Sequence, residues 1–249
     1  MPTQSDISIT LARATLARFV AELFGRPESN RLTLLSGAGV HAELQEAVTA
    51  LGIESRWIEA VFASHGAGAA VREAYDRILG HTVRSECPPY ELEYRTAEVF
   101  QQAQTLADIS GFYRAFGFEA GGPLVERADH VVAEWEFLAI LSLKESLAPS
   151  DEDAECCRVA QKTFLAEHAA VWMPAFFERI RRLDDRSFLA SAADLADRVL
   201  RAWCADLKVS IGPDWLELRP IEDEDSNISC GAPGTVELGP MLASAMEGR

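Results

Sequence analysis

The chain has 249 residues, 48% of them apolar and 25% charged, which suits one large or two small folded domains with a sizeable core. Its net charge of −16 excludes nucleic acid and anionic membrane as natural partners and favours cationic ones, such as a peptide carrying arginines. The opening MPTQSDISIT lacks a secretory pattern, and no apolar run reaches the ~18–20 residues of a membrane span, so a soluble, cytoplasmic protein is expected. The five cysteines, Cys87, Cys156, Cys157, Cys204 and Cys230, include no C-x-x-C pair and are expected to be reduced thiols.

Residues 7–24 place Ala12, Leu16, Phe19, Val20, Leu23 and Phe24 at helical spacing, and Gly25 and Pro27 stop that helix. Residues 41–50 are rich in helix formers, and SRWIEAVFA is a further candidate. GAGAA at 66–70 has no preceding strand and no following G-K-[ST], so it reads as a loop before the helix VREAYDRIL. Pro88 and Pro89 force SECPPYELEYR out of helix, and Tyr90 and Tyr94 then stand among Glu86, Glu91 and Glu93.

AEVFQQAQTLAD resumes helix, and DISGFYRAFGFEAGG follows with Asp108 as N-cap and Gly117 as C-cap. A helix over 124–147 carries ERADHVVAEWEFLAIL and a broad apolar face of Val131, Trp135, Phe137, Leu138 and Leu141. Ser150 with Asp153 forms a capping-box-like start for the next helix, which Pro174 interrupts, and SFLASAADLADRVLRAWCADL over 187–207 is the last. KVSIG and WLELRP read as short extended pieces. The expected fold is all-α: one bundle of about ten helices over 1–208, followed by an extended, acidic and then Gly/Pro-rich tail over 209–249.

Glu126, His130 and Glu134 fall four apart and would share one helical stripe, the arrangement of a metal-ligand row. A di-iron bundle needs Glu-x-x-His on two helices, and neither that spacing nor H-E-x-x-H occurs, so no metal or other cofactor is assigned. No G-x-S-x-G is present, and neighbouring Asp129 and His130 would point about 100° apart on a helix, so no catalytic residue is assigned either. The residues alone leave three readings open: a binding protein, a metal- or acid/base-dependent helical enzyme, and a helical adaptor.

Four segments, PPYELEYR, LADISGFYRAFGF, ERADHVVAEWEFLAIL and FLAEHAAVWMPAFFERI, in this order and over about residues 10–205, resemble the TorD/DmsD/NarJ family of redox-enzyme maturation chaperones. The resemblance implies an all-α, non-catalytic cytoplasmic chaperone for a molybdopterin-containing oxidoreductase of the dimethyl-sulfoxide-reductase type. Its partner would be the apo catalytic subunit, bound through its twin-arginine signal peptide or N-terminal region until cofactor is inserted, which prevents premature export.

Carried over by motif, the client-binding surface would include Tyr90, Glu91, Gly111, Phe112, Tyr113, Phe116, Gly117, Asp129, His130 and Glu134, with Phe137 as support. Carboxylates such as Glu91, Asp129 and Glu134 would take arginines in bidentate fashion, and exposed Tyr90 and Tyr113 would cover apolar residues and stack on guanidinium. The chain departs from the family pattern at Leu92, where serine is common, and around Tyr75, which Ile78 and Leu79 follow instead of a Leu-Phe pair. A monomer is expected, with helix exchange between protomers at the breaks 66–70, 121–123 and 149 as the alternative.

Overall fold

The structure, a computed structural model, describes residues 4–27, 37–64, 68–80, 85–95, 99–119 and 127–220. Among these the α-helices are α1 (Gln4–Phe24), α2 (Ala38–Ala50), α3 (Arg56–Ser64), α4 (Gly68–Ile78), α5 (Val99–Ala115), α6 (Val131–Ser146), α7 (Asp151–Phe164), α8 (Ala170–Leu183) and α9 (Phe188–Leu207). A 3-10 turn spans Glu91–Tyr94, and a π-helical turn, Leu165–Ala169, joins α7 to α8 without a break. The described residues contain no strand, only a single antiparallel bridge between Tyr90 and His130. None of their helices is long and apolar enough to cross a membrane.

The fold is all-α, as its helical periodicities require. Met1–Arg219 forms one compact unit and Pro220–Arg249 a second. Cys230, Glu126, the acidic and Gly/Pro-rich stretch from 221, and the expected hinges at 66–67 and 121–123 lie outside the described residues.

α6 is the axis. It is buried on several faces at once, through Val131, Trp135, Phe137, Leu138, Leu141 and Ser142, which a helix tolerates only when neighbours surround it. α1 packs along it most extensively, and the expected stripe from Ala12 to Phe24 is the face it uses. The Ser142 hydroxyl donates to the Thr10 carbonyl at 2.9 Å and pins the pair. α7 also packs against α6, and α8 and α9 pair with each other.

The helix ends follow their local chemistry. Ser150 accepts the Asp153 N–H at 3.1 Å, and its hydroxyl donates to the Asp153 carboxylate at 2.5 Å, which is the capping expected there. Gly117, with φ of +68°, ends α5: its N–H reaches the Arg114 carbonyl, and the Phe118 N–H reaches Tyr113 at 2.8 Å. The Phe118 and Tyr113 rings then meet at 4.7 Å, the apolar contact that accompanies such a stop.

Three boundaries differ from expectation. Asp108 caps nothing, since α5 runs unbroken through it and Gly111, and the buried pair Ile109 and Tyr113 holds the two predicted pieces as one helix. The central helix begins at Val131, not near 124, because residues 127–130 are committed to a turn and to pairing with residues 89–91. Pro174 does not interrupt α8. Proline removes the N–H that would bond the Ala170 carbonyl, and the Gly212 N–H supplies the missing donor at 2.9 Å. The chain after α9 thus turns back and docks across the helix at its proline gap.

Candidate functional site

The site grows from Pro88 and Pro89. Their fixed φ keeps the backbone extended, and it pairs with the segment before α6. The Glu91 N–H donates to the Asp129 carbonyl at 3.0 Å and the Val131 N–H to the Pro89 carbonyl at 2.9 Å. Tyr90 and His130 face each other at this bridge with ring centroids 5.0 Å apart. His130 takes extended backbone and caps α6, its Nδ1 accepting the Val132 N–H at 3.2 Å. It is therefore outside the helix, so the expected His130–Glu134 helical stripe does not form.

The 3-10 turn buries all four of its residues, Glu91 to Tyr94. Glu91 is 0% exposed and takes the Arg95 guanidinium at 2.5 Å and the His168 Nδ1 at 3.2 Å. Arg95 also donates to the Glu167 carbonyl in the π-helical turn. Glu134, likewise 0% exposed, accepts the Trp172 indole N–H at 3.1 Å. His168 and Trp172 are four residues apart and deliver both groups to the two acids. The Glu134 Oε1 and His168 Nε2 are buried and have no hydrogen-bond partner among the described residues.

Burial, with the nearby Glu91 carboxylate adding to it, raises the Glu134 pKa well above the usual carboxylate range, against the Trp172 bond. Burial raises the Asp129 pKa too, outweighing the Arg127 contacts.

The aromatic half of the site lies at the end of α5. Phe112 meets His168 at 5.8 Å and Phe164 at 5.5 Å, and Phe112, Tyr113 and Phe116 all pack on Phe137. The Tyr113 hydroxyl donates to the Ala128 carbonyl at 2.7 Å and ties α5 to the turn before α6. All ten residues proposed from the motifs thus converge on one region.

Their depths differ from expectation. Tyr113 is 3% exposed, so it is core and not a covering surface aromatic. Asp129 is 0% exposed and His130 3%, so the pair lies inside the molecule. The carboxylates do take guanidinium groups, but from their own chain: Arg127 bonds Asp129, and Arg95 bonds Glu91. The Arg127 guanidinium also lies 4.7 Å over the Tyr90 ring. Of the ten, Tyr90, Gly111, Phe112 and Phe116 are half-buried and Gly117 is exposed. A Cβ on Gly111 would meet nothing within 4 Å, so Gly111 leaves bare space beside Phe112.

The motif reading missed Glu93, Arg95, Arg127, His168 and Trp172. The H-x-x-x-W spacing carried a signal for the last two. Glu93 is the acid that joins the site to the C-terminal segment: its Oε1 meets Arg127 at 3.4 Å and its Oε2 meets Arg219 at 3.4 Å. Among the described residues no group of three or more His, Cys, Asp or Glu side chains is arranged to hold a metal.

The helical bundle thus pairs its central acids with its own arginines, indole and imidazole and sets half-buried aromatics around them. The chain belongs to the nitrate reductase delta subunit family, whose model matches residues 37–178, and this is the TorD family that its motifs resemble. That is a family of chaperones and not of catalytic enzymes.

Over 80 residues the chain is 40% identical to the selenate reductase assembly chaperone protein of Thauera selenatis, covering 32% of this chain and 42% of that protein. It is 40% identical over 76 residues to the chlorate reductase assembly chaperone protein of Ideonella dechloratans, covering 30% and 39%. Chaperone protein TorD of Photobacterium profundum is 24% identical over 189 residues, covering 76% and 85%. The chain therefore spans less than half the length of the two assembly chaperones it matches at the higher identity.

Proposed function

We propose that this chain is a maturation chaperone for a molybdopterin-containing reductase, holding the apo catalytic subunit until its cofactor is inserted and keeping it from premature export. One observation carries the reading: relatives that align with this chain are named assembly chaperones of selenate and chlorate reductases. The acidic chain, at −16, speeds encounter with a cationic segment of the client, such as a twin-arginine signal peptide. The half-exposed Tyr90, Phe112 and Phe116, with Gly111 and Gly117, are the members of the site that a client meets. Glu91, Tyr113, Asp129, His130 and Glu134 act beneath them as fixed support. The chaperone works as a monomer in the cytoplasm.

The test is co-expression of a selenate- or chlorate-type reductase catalytic subunit with and without this chain, reading molybdenum bound per purified subunit. Higher loading with the chain is expected, and equal loading would overturn the reading. A twin-arginine peptide and its lysine-pair control, titrated against the pure chain, test the signal-peptide component, and equal binding of the two would remove it.

A further inference from the structure

Residues 208–219 leave α9 as an extended strap and lie back across the bundle as a bound peptide would. Val209, Ile211, Leu216 and Leu218 pack against the core while Ser210, Trp215 and Glu217 are exposed, the two-residue alternation of an extended chain on an apolar surface. Among the described residues no strand pairs with this segment. Its anchors are sparse and specific: Gly212 N–H to the Ala170 carbonyl at 2.9 Å, Arg219 N–H to the Glu93 carbonyl at 2.9 Å, and Arg179 to the Leu216 carbonyl at 2.8 Å.

Its side chains add charge and stacking. Arg219 reaches the Glu93 carboxylate and, at 2.5 Å, the Gln102 amide oxygen. Trp215 sits 4.2 Å from both the Arg179 and the Arg182 guanidinium groups. Asp214 pairs with Arg201 at 2.6 Å.

The surface under the strap therefore has two needs of its own. The Ala170 carbonyl, orphaned by Pro174, requires a donor from outside its helix. Glu93, 6% exposed, requires guanidinium partners, and Arg219 is one of its two among the described residues. An extended segment that offers a small residue at the proline gap, alternating apolar side chains and an arginine at Glu93 meets both. Arg219 shares Glu93 with Arg127, which covers Tyr90, so the strap ends against the proposed client site.

We infer that this surface is a groove for an extended, arginine-bearing segment of a partner protein, and that the strap is its resident occupant, which the partner must displace. The inference rests on the chaperone reading only for the identity of that partner as the client. A strap seated about 90% of the time lowers the apparent affinity of a competing segment about tenfold.

The experiment is a titration of a labelled synthetic peptide of residues 208–219 against the full-length chain and two variants. In Gly212→Val an added Cβ runs into the Val171 and Ala170 carbonyl oxygens, backbone atoms that cannot swing aside, so the strap is lifted while the helices keep their contacts. Arg219→Glu sets like charges against Glu93 and loosens the strap from its other end. Circular dichroism confirms that each is folded, and Arg219→Glu alone decides the matter if Gly212→Val is not.

Both folded variants are expected to bind the peptide up to about tenfold more tightly than wild type, and a peptide carrying Arg219→Glu is expected to lose that gain. Equal affinity of wild type and a folded variant would overturn the inference, as would equal affinity for the two peptides. If reductase loading proves independent of this chain while the variants still gain peptide affinity, the chaperone reading falls and the groove stands.

Discussion

Asp129 accepts the Arg127 side chain with both carboxylate oxygens, from Nε at 2.9 Å and Nη2 at 2.7 Å. Its Oδ2 also takes the Leu92 N–H at 3.2 Å. The Leu92 bond, with the reach of Arg127 to Glu93, joins the turn before α6 to the 3-10 turn. Asp129→Ala is therefore expected to destabilise the fold by about 2–3 kcal/mol, since it strips a charged bond and leaves a buried N–H without an acceptor. Arg127 is 34% exposed, so solvent relieves its loss of a partner and holds the cost below that of a fully buried pair. Urea unfolding of Asp129→Ala and Asp129→Asn measures this. A change under about 0.5 kcal/mol in Asp129→Ala would show that the pair is ornamental.

Glu134 sets a pH dependence whose sign follows from its raised pKa. Between the ordinary carboxylate value and the folded one, the native state holds a proton that the unfolded state has released. Stability falls as pH rises through that window, and below it the penalty is absent. Asp129 contributes with the same sign. Glu134→Gln keeps an oxygen for the Trp172 N–H and cannot ionise. Its unfolding free energy is expected to vary less with pH than that of wild type and to exceed it at neutral pH. Parallel stability–pH curves for the two would refute the assignment.

Phe137 and Phe116 separate scaffold from surface. Phe137 is fully buried among the rings of Phe112, Tyr113, Phe116, Phe118 and Phe164, at centroid distances of 4.8–6.4 Å. Phe137→Ala is expected to cost about 3–5 kcal/mol. The half-buried Phe116→Ala is expected to cost about 1–2 kcal/mol while lowering the client-loading effect of the chaperone. Thermal melts and the co-expression assay, run on both, read the two effects apart.

The thiols should react in a fixed order. Burial pushes Cys87 and Cys204 up to about 12, and burial raises Cys157 as well, whereas Cys156 is exposed. Access favours Cys156 among these four, and burial holds the other three back. Peptide mapping after brief alkylation at pH 8 is expected to find Cys156 modified first and Cys87 and Cys204 only after denaturation. Early labelling of Cys87 would mean that the 85–95 segment opens.

What could be read from the chain was local. The Ser150 cap, the Gly117 stop, the α1 stripe and the apolar face around Trp135 each depend on residues within a turn or two, and each stands in the structure as read. The motifs named ten residues, and the structure gathers them in one region. What they misjudged was depth. Acids are exposed by default; Glu91 and Asp129 are buried beside arginines close to them in sequence, Arg95 and Arg127, whereas the His168 and Trp172 partners of Glu91 and Glu134 come from a distant helix.

The same reason divides this protein as a whole. Helical period, caps and stops follow from neighbours in sequence, so the amino-acid order alone determined an all-α chain and its family. The start of α6 at Val131, the unbroken passage through Pro174 and the strap over Glu93 depend on hydrogen bonds between residues 42 apart for Val131 and Pro89, 42 for Gly212 and Ala170, and 126 for Arg219 and Glu93. Spacing rules reach only a few residues. Tertiary structure decided which acids are buried and which of the ten residues stay at the surface.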